Sequence, residues 1–139
     1  MIQRIQSIWL LLASVAAFST LKLSFYSGNI VDANQVKTFT SLTAVTNLLI
    51  LVLTVVVAVA AFIAIFLYKN RPLQLRITLA TAVIAFLNIF LYYRQTQKFA
   101  EGNYDLTAVL TLVVPILLLL AARAISKDQK LVKSLDRLR

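Results

Sequence analysis

Apolar residues gather into four long runs with polar stretches between them. The runs occupy residues 5–21 (IQSIWLLLASVAAFSTL), 42–67 (LTAVTNLLILVLTVVVAVAAFIAIFL), 75–93 and 106–124, the last opening LTAVLTLVVPILLLLAA. Each is close to the roughly 17–25 residues that cross a bilayer core, and their central portions hold no Asp, Glu, Lys or Arg. The pattern predicts an all-α protein: an integral membrane four-helix bundle over residues 1–125, followed by a tail over residues 126–139. The second run has 26 residues. As a helix it would be about 39 Å long against a core of roughly 30 Å, so it should tilt or project. Arg4 and the small residues of ASVAAFS make the first run resemble a secretory signal; it is read as an uncleaved anchor helix.

Composition strengthens the membrane reading. Hydrophobic residues make up 60% of the chain, above the about 45–50% of a soluble domain. Cysteine and histidine are both absent. That excludes disulfides, thiol chemistry, the usual zinc sites and the side chain that titrates near neutrality.

The net charge is +9, and its distribution matters more than its sum. The stretch before the first run, the second connector (YKNRPLQLR) and the chain from Arg123 onward together hold ten basic residues, whereas the first and third connectors hold four. Because positive loops stay in the cytoplasm, both termini are expected there. Most of the basic excess then acts as an orientation signal and as contact with anionic lipid heads, at about 1 kcal/mol per residue close to the surface. Nucleic acid is not an expected partner. The cytoplasmic segments offer only Tyr68 for stacking, at a position typical of interface-anchoring aromatics.

Few residues inside the runs suggest chemistry. Asn47 and Asn88 lie at matched depth near the outer ends of the second and third spans, which suggests a hydrogen-bonded pair between helices or a polar vestibule. Pro115 should free the carbonyl of Thr111 and bend the fourth span. Alanines four apart, Ala13 with Ala17 and Ala60 with Ala64, suit close helix packing. The chain is similar in size to small four-helix multidrug carriers, but it lacks their membrane-embedded glutamate. No mid-span ionisable residue, nucleophile–base set or phosphate-cradling loop can be assembled. No enzyme activity, cofactor or metal is expected. Both glycines, Gly28 and Gly102, fall in the outer connectors and read as turns, with SGN the clearest. Phe25, Tyr26 and Phe39 of the first connector are expected to rest on the bilayer surface.

The tail is KDQKLVKSLDRLR, residues 127–139. Ser126 and Gln129 match a capping box, and Asp128 would suit the first turn of a new helix, so a break near Ser126 is expected. The alternative is a fourth span that continues without interruption. On a helix, Leu131, Leu135 and Leu138 share one face, while Lys130, Lys133 and Arg137 share another. The leucine face requires support from the membrane interface, a cytoplasmic partner or the protein's own second connector.

The MIQRIQ start, the LYKNRPLQ connector and the KDQKLVKSLDRLR end together resemble an uncharacterised bacterial family of small four-span inner-membrane proteins, catalogued only as a domain of unknown function. The resemblance spans the chain and implies a bacterial inner membrane with both ends inside. It brings no reaction or ligand. The expected role is a non-enzymatic accessory or scaffold subunit. Its cytoplasmic surface of Arg4, Lys69, Arg71, Arg76 and the tail would dock a larger membrane protein complex or anionic lipid. The alternative is a small transporter or channel for an uncharged or lipid-like molecule.

Overall fold

The computed structural model describes residues 2–136, with side chains from residue 5 to residue 134. Four helices form: α1 (Ile2–Ser19), α2 (Leu48–Phe66), α3 (Arg71–Thr96) and α4 (Ala108–Asp136). Cross-helix contacts fix their order and direction. Ser14 Oγ donates to the Ala58 carbonyl at 3.0 Å, tying α1 to α2. Gln74 Nε2 donates to the Ala64 carbonyl and Asn88 Nδ2 to Thr54 Oγ1, so α3 runs antiparallel to α2. Each helix packs on its neighbours in a ring, α1–α2–α3–α4 and back to α1.

The distribution of side-chain size inverts that of a water-soluble bundle. Inside sit Ala13, Ala17, Ala58, Ala61, Ala64, Ala82, Ala85 and Ala121, with Leu10, Val57, Val114 and Leu118. Outside sit Leu11, Phe18, Val52, Phe62, Val83, Phe86, Phe90, Leu112, Ile116 and Leu119. Lipid tails offer helices no hydrophobic drive to associate, so close backbone approach over small residues holds the bundle instead. On α2 the inward alanines are 58, 61 and 64, while Ala60 is only half-buried. Three buried threonines satisfy themselves: Thr54, Thr78 and Thr81 each donate to the carbonyl four residues back. Such back-bonding removes the cost of a hydroxyl in an apolar interior. Extended through a 3-10 turn to Lys69, α2 is long and apolar enough to cross a bilayer, as are α3 and α4. Over its described side chains α1 is apolar but shorter. This points to a membrane protein.

Three differences from the sequence reading have clear physical causes. First, the chain is not all-α. The outer connectors form a three-stranded antiparallel sheet of β1 (Tyr26–Val31), β2 (Lys37–Leu42) and β3 (Glu101–Tyr104), in the order β2-β1-β3. The SGN stretch is strand, not turn; the reversal comes later, where Gln35 takes φ 59°. The two glycines pair directly, Gly28 with Gly102. Neither has positive φ. They are needed for proximity: a Cβ on Gly28 would lie 2.2 Å from the Glu101 carbonyl oxygen. Phe25 and Tyr26 do not lie on a bilayer surface either. Phe25 stacks on Tyr92 with ring centroids 4.6 Å apart, and Tyr26 meets Tyr104 and Phe99 edge-on. Phe25 and Tyr92 with Leu42, Ala44, Ile50 and Ala108 make a second core between sheet and bundle, and Tyr26 and Phe99 pack against it. Phe39 alone of the three expected surface aromatics is exposed.

Second, the second span is shorter than its apolar run. Leu42 ends β2, residues 44–46 form a 3-10 turn, and Asn47 caps a helix that begins at Leu48. Its 19 residues rise about 28 Å, which fits an upright crossing of the roughly 30 Å core without the expected excess.

Third, no break occurs at Ser126. Helix α4 runs 29 residues from Ala108 to Asp136, with Pro115 buried inside it. The uninterrupted alternative is the one observed. The capping box has no helix start to cap, and Asp128 is taken up by a distant partner described below.

Candidate functional site

The sheet closes one end of the bundle, since it joins the end of α1 to the start of α2, and the end of α3 to the start of α4. The other end, here the basic end, is built by the turn Leu67–Lys69, the start of α3 and the last turns of α4. A groove of about 270 Å³ opens there, lined by Lys69, Arg71, Pro72, Gln129, Val132 and Lys133. Arg71 is the first residue of α3 because Asn70 ends the preceding turn and Pro72 suits the first helical turn, where a missing N–H costs nothing.

Arg71 Nε lies 3.0 Å from Asp128 Oδ2, with the side chains 22% and 10% exposed. Alignment is that of a charge contact and not of a hydrogen bond, so Asp128 Oδ2 has no hydrogen-bond donor among the described residues. Desolvation makes such a pair a weak source of net stability, but removing one member leaves the other charge buried. The pair sets where α3 begins against α4 and leaves residues 129–136 of α4 extending past it. Gln74, 1% exposed, reinforces this end by its bond to the Ala64 carbonyl. Gln6 Nε2 and Gln74 Oε1 are buried without partners among the described residues.

The expected docking residues are thus only partly brought together. Lys69, Arg71 and Lys133 share the groove, whereas Arg76 and Lys130 are exposed outside its lining. Leu131 is exposed on α4. The side chains of Arg4 and Leu135, and residues Arg137 and Leu138, lie outside the described residues. Locally Asp128 fits a helix-dipole residue, and no local pattern marks it as the partner of Arg71, which is far from it in sequence.

The proposed Asn47–Asn88 pair does not form. Asn47 Oδ1 accepts from the Leu49 amide as the α2 cap, while Asn88 Nδ2 donates to Thr54 Oγ1 at 2.9 Å. Asn88 faces a cavity of about 20 Å³ lined by Ala17 of α1 and Thr20 just after it, and by two residues from each other helix: Thr54 and Val57, Ala85 and Asn88, Thr111 and Val114. Asn88 Oδ1 is buried there without a donor among the described residues. A space of that size fits a single water molecule and little more. Because their partners differ, Asn47→Leu and Asn88→Leu are expected to destabilise additively within about 0.5 kcal/mol, measured by unfolding in mixed detergent. Asn88→Leu alone should cost about 0.6–1.7 kcal/mol, the range for an interhelical hydrogen bond in a membrane protein. A coupling well above that additivity limit would restore direct pairing.

Among the described residues no group of His, Cys, Asp or Glu is placed to hold a metal ion. The chain belongs to the family described as a domain of unknown function, DUF4293, whose model matches residues 2–138. No curated protein and no solved structure matches it.

Proposed function

We propose that this family member is a small, non-enzymatic bacterial inner-membrane protein. It crosses the bilayer four times with both ends cytoplasmic, and works as an accessory or scaffold subunit. Its basic end docks a larger membrane protein complex or anionic lipid. One observation carries the reading. Lys69, Arg71 and Lys133 converge on one groove, and Asp128, the only acidic residue with a described side chain at that end, is already engaged by Arg71. Asp32, Glu101 and Asp105 all belong to the sheet end. Positive surplus at one end of a spanning bundle favours the cytoplasmic side and an anionic partner.

The transport alternative loses support from the interior. The cavity shared by the four helices has room for about one water molecule, its walls are mainly alanine, valine and threonine, and its asparagine is half engaged. A carrier for a lipid-like molecule requires a larger cleft between the helices; the apolar cleft of about 370 Å³ beside Phe25, Tyr93, Tyr104 and Leu112 lies at the sheet end, outside that shared interior.

Affinity purification from native membranes after crosslinking tests the docking role. Truncation at residue 126 would also remove Asp128, so Lys69→Glu with Lys133→Glu is the cleaner comparison. The intact chain should retain a membrane protein or anionic phospholipid that the variant loses. Recovery of the intact chain at monomer mass, with neither, would refute the reading.

A further inference from the structure

The groove at the basic end has the position, charge and shape of a site for one phospholipid headgroup. Its height follows from α2. That helix rises about 28 Å, nearly a full hydrocarbon core, and Lys69 and Arg71 come immediately after it. Read as a bilayer crossing, α2 puts the groove at the level of the lipid phosphates. Exposed apolar residues adjoin its lining residues along the chain, Phe66 and Tyr68 just before Lys69 and Leu131 just before Val132. Pro72 and Val132 supply apolar lining beside Lys69, Lys133 and Gln129. A phosphate with a glycerol attached matches that mixture of cations and apolar surface better than a bare anion does.

Arg71 carries the specificity. A guanidinium offers five N–H donors in a fixed plane. Asp128 approaches at Nε, and the terminal nitrogens have no protein hydrogen bond among the described residues. The carboxylate attracts the guanidinium at its Nε side and leaves the terminal fork available for two phosphate oxygens, a geometry favoured for phosphate recognition. Resting on the docking reading above, we propose that this groove binds the phosphate of an anionic phospholipid from the adjoining leaflet. Lys69, Arg71 and Lys133 are the ligands, and Asp128 is a positioning residue.

Electron spin resonance on the full chain in phosphatidylcholine vesicles tests this, using a minor fraction of spin-labelled phosphatidylglycerol or spin-labelled phosphatidylcholine as probe. The wild type should immobilise phosphatidylglycerol preferentially. Lys69→Gln and Lys133→Gln should each reduce the preference by about fivefold, the equivalent of ~1 kcal/mol per basic residue near an anionic surface. Lys98→Gln, between α3 and the sheet, should leave it unchanged. Asp128→Asn is the sharpest variant, because it adds net positive charge. Diffuse attraction predicts a stronger preference for phosphatidylglycerol; a positioned arginine predicts a weaker one. Only variants of wild-type helicity are compared. If Asp128→Asn fails that criterion, the two exposed lysines decide the outcome. A wild-type preference that survives both lysine substitutions, or rises with Asp128→Asn, overturns the site while sparing lipid docking in general. No wild-type preference at all removes both the site and the lipid arm of the proposed function. Displacement by inorganic phosphate beyond that by chloride at equal ionic strength overturns the lipid assignment.

Discussion

Gly28→Ala should separate β3 from the rest of the sheet and destabilise the protein by about 2–3 kcal/mol, the upper part of the overpacking range. The added methyl would sit 2.2 Å from the Glu101 carbonyl oxygen and 2.7 Å from the Gly102 Cα. Both obstacles are backbone, which cannot rotate aside as a side chain can. Relief requires β3 to move, and its movement would strip the bond from the Ala100 amide to the Asn29 carbonyl and the contact of Tyr104 with Phe25 and Tyr26. Gly102→Ala meets the Ser27 carbonyl at 2.6 Å and should behave alike. Amide hydrogen exchange is the direct measurement: protection along β1 and β3 should fall, while the middle of α2 stays protected. Unchanged protection of β3 would mean that the glycines are not required for proximity.

Arg71→Ala is the second large expectation. It leaves the carboxylate of Asp128, on a residue only 7% exposed, without its cation, and breaking a buried pair in this way costs about 3–5 kcal/mol. Partial exposure of Arg71 places the expected loss near the low end, at about 3 kcal/mol. Adding Asp128→Ala should recover part of that loss, since no unpaired charge then remains. Unfolding in mixed detergent, followed by circular dichroism across the double-mutant cycle, reads both effects. A double variant as unstable as the sum of the singles would show that the two residues act separately.

These two sites also mark the limits of what the chain discloses before it folds. Apolar runs found the helices, because period and length are local properties. Residues 42–47 misled the second boundary: LTAVTN reads as membrane, yet Leu42 closes a strand and Asn47 caps a helix. Strand β2, KTFTSL, has the β-branched and aromatic content of a strand. Strand β3, EGNY, has little, and forms because β1 presents a ladder edge and a glycine opposite Gly102. That partner lies far along the chain, so no window of sequence contains the signal. The same holds for Asp128, whose local setting imitates a helix start and whose role comes from Arg71. Charge clustering at the basic end was readable from loop counts. The groove was not, because it depends on α4 continuing through Ser126 and past the start of α3.

The central claim is that the two ends of the bundle lie on opposite sides of a membrane, with the basic groove in the cytoplasm. The native chain has no cysteine, so single cysteines report without background. Asn34→Cys lies in the exposed hairpin turn at the sheet end, and Ser134→Cys is exposed on α4 at the basic end. A membrane-impermeant thiol reagent should label Asn34→Cys in right-side-out vesicles and Ser134→Cys only in inverted ones. Labelling of both in the same vesicles, or the reverse pattern, would contradict the account.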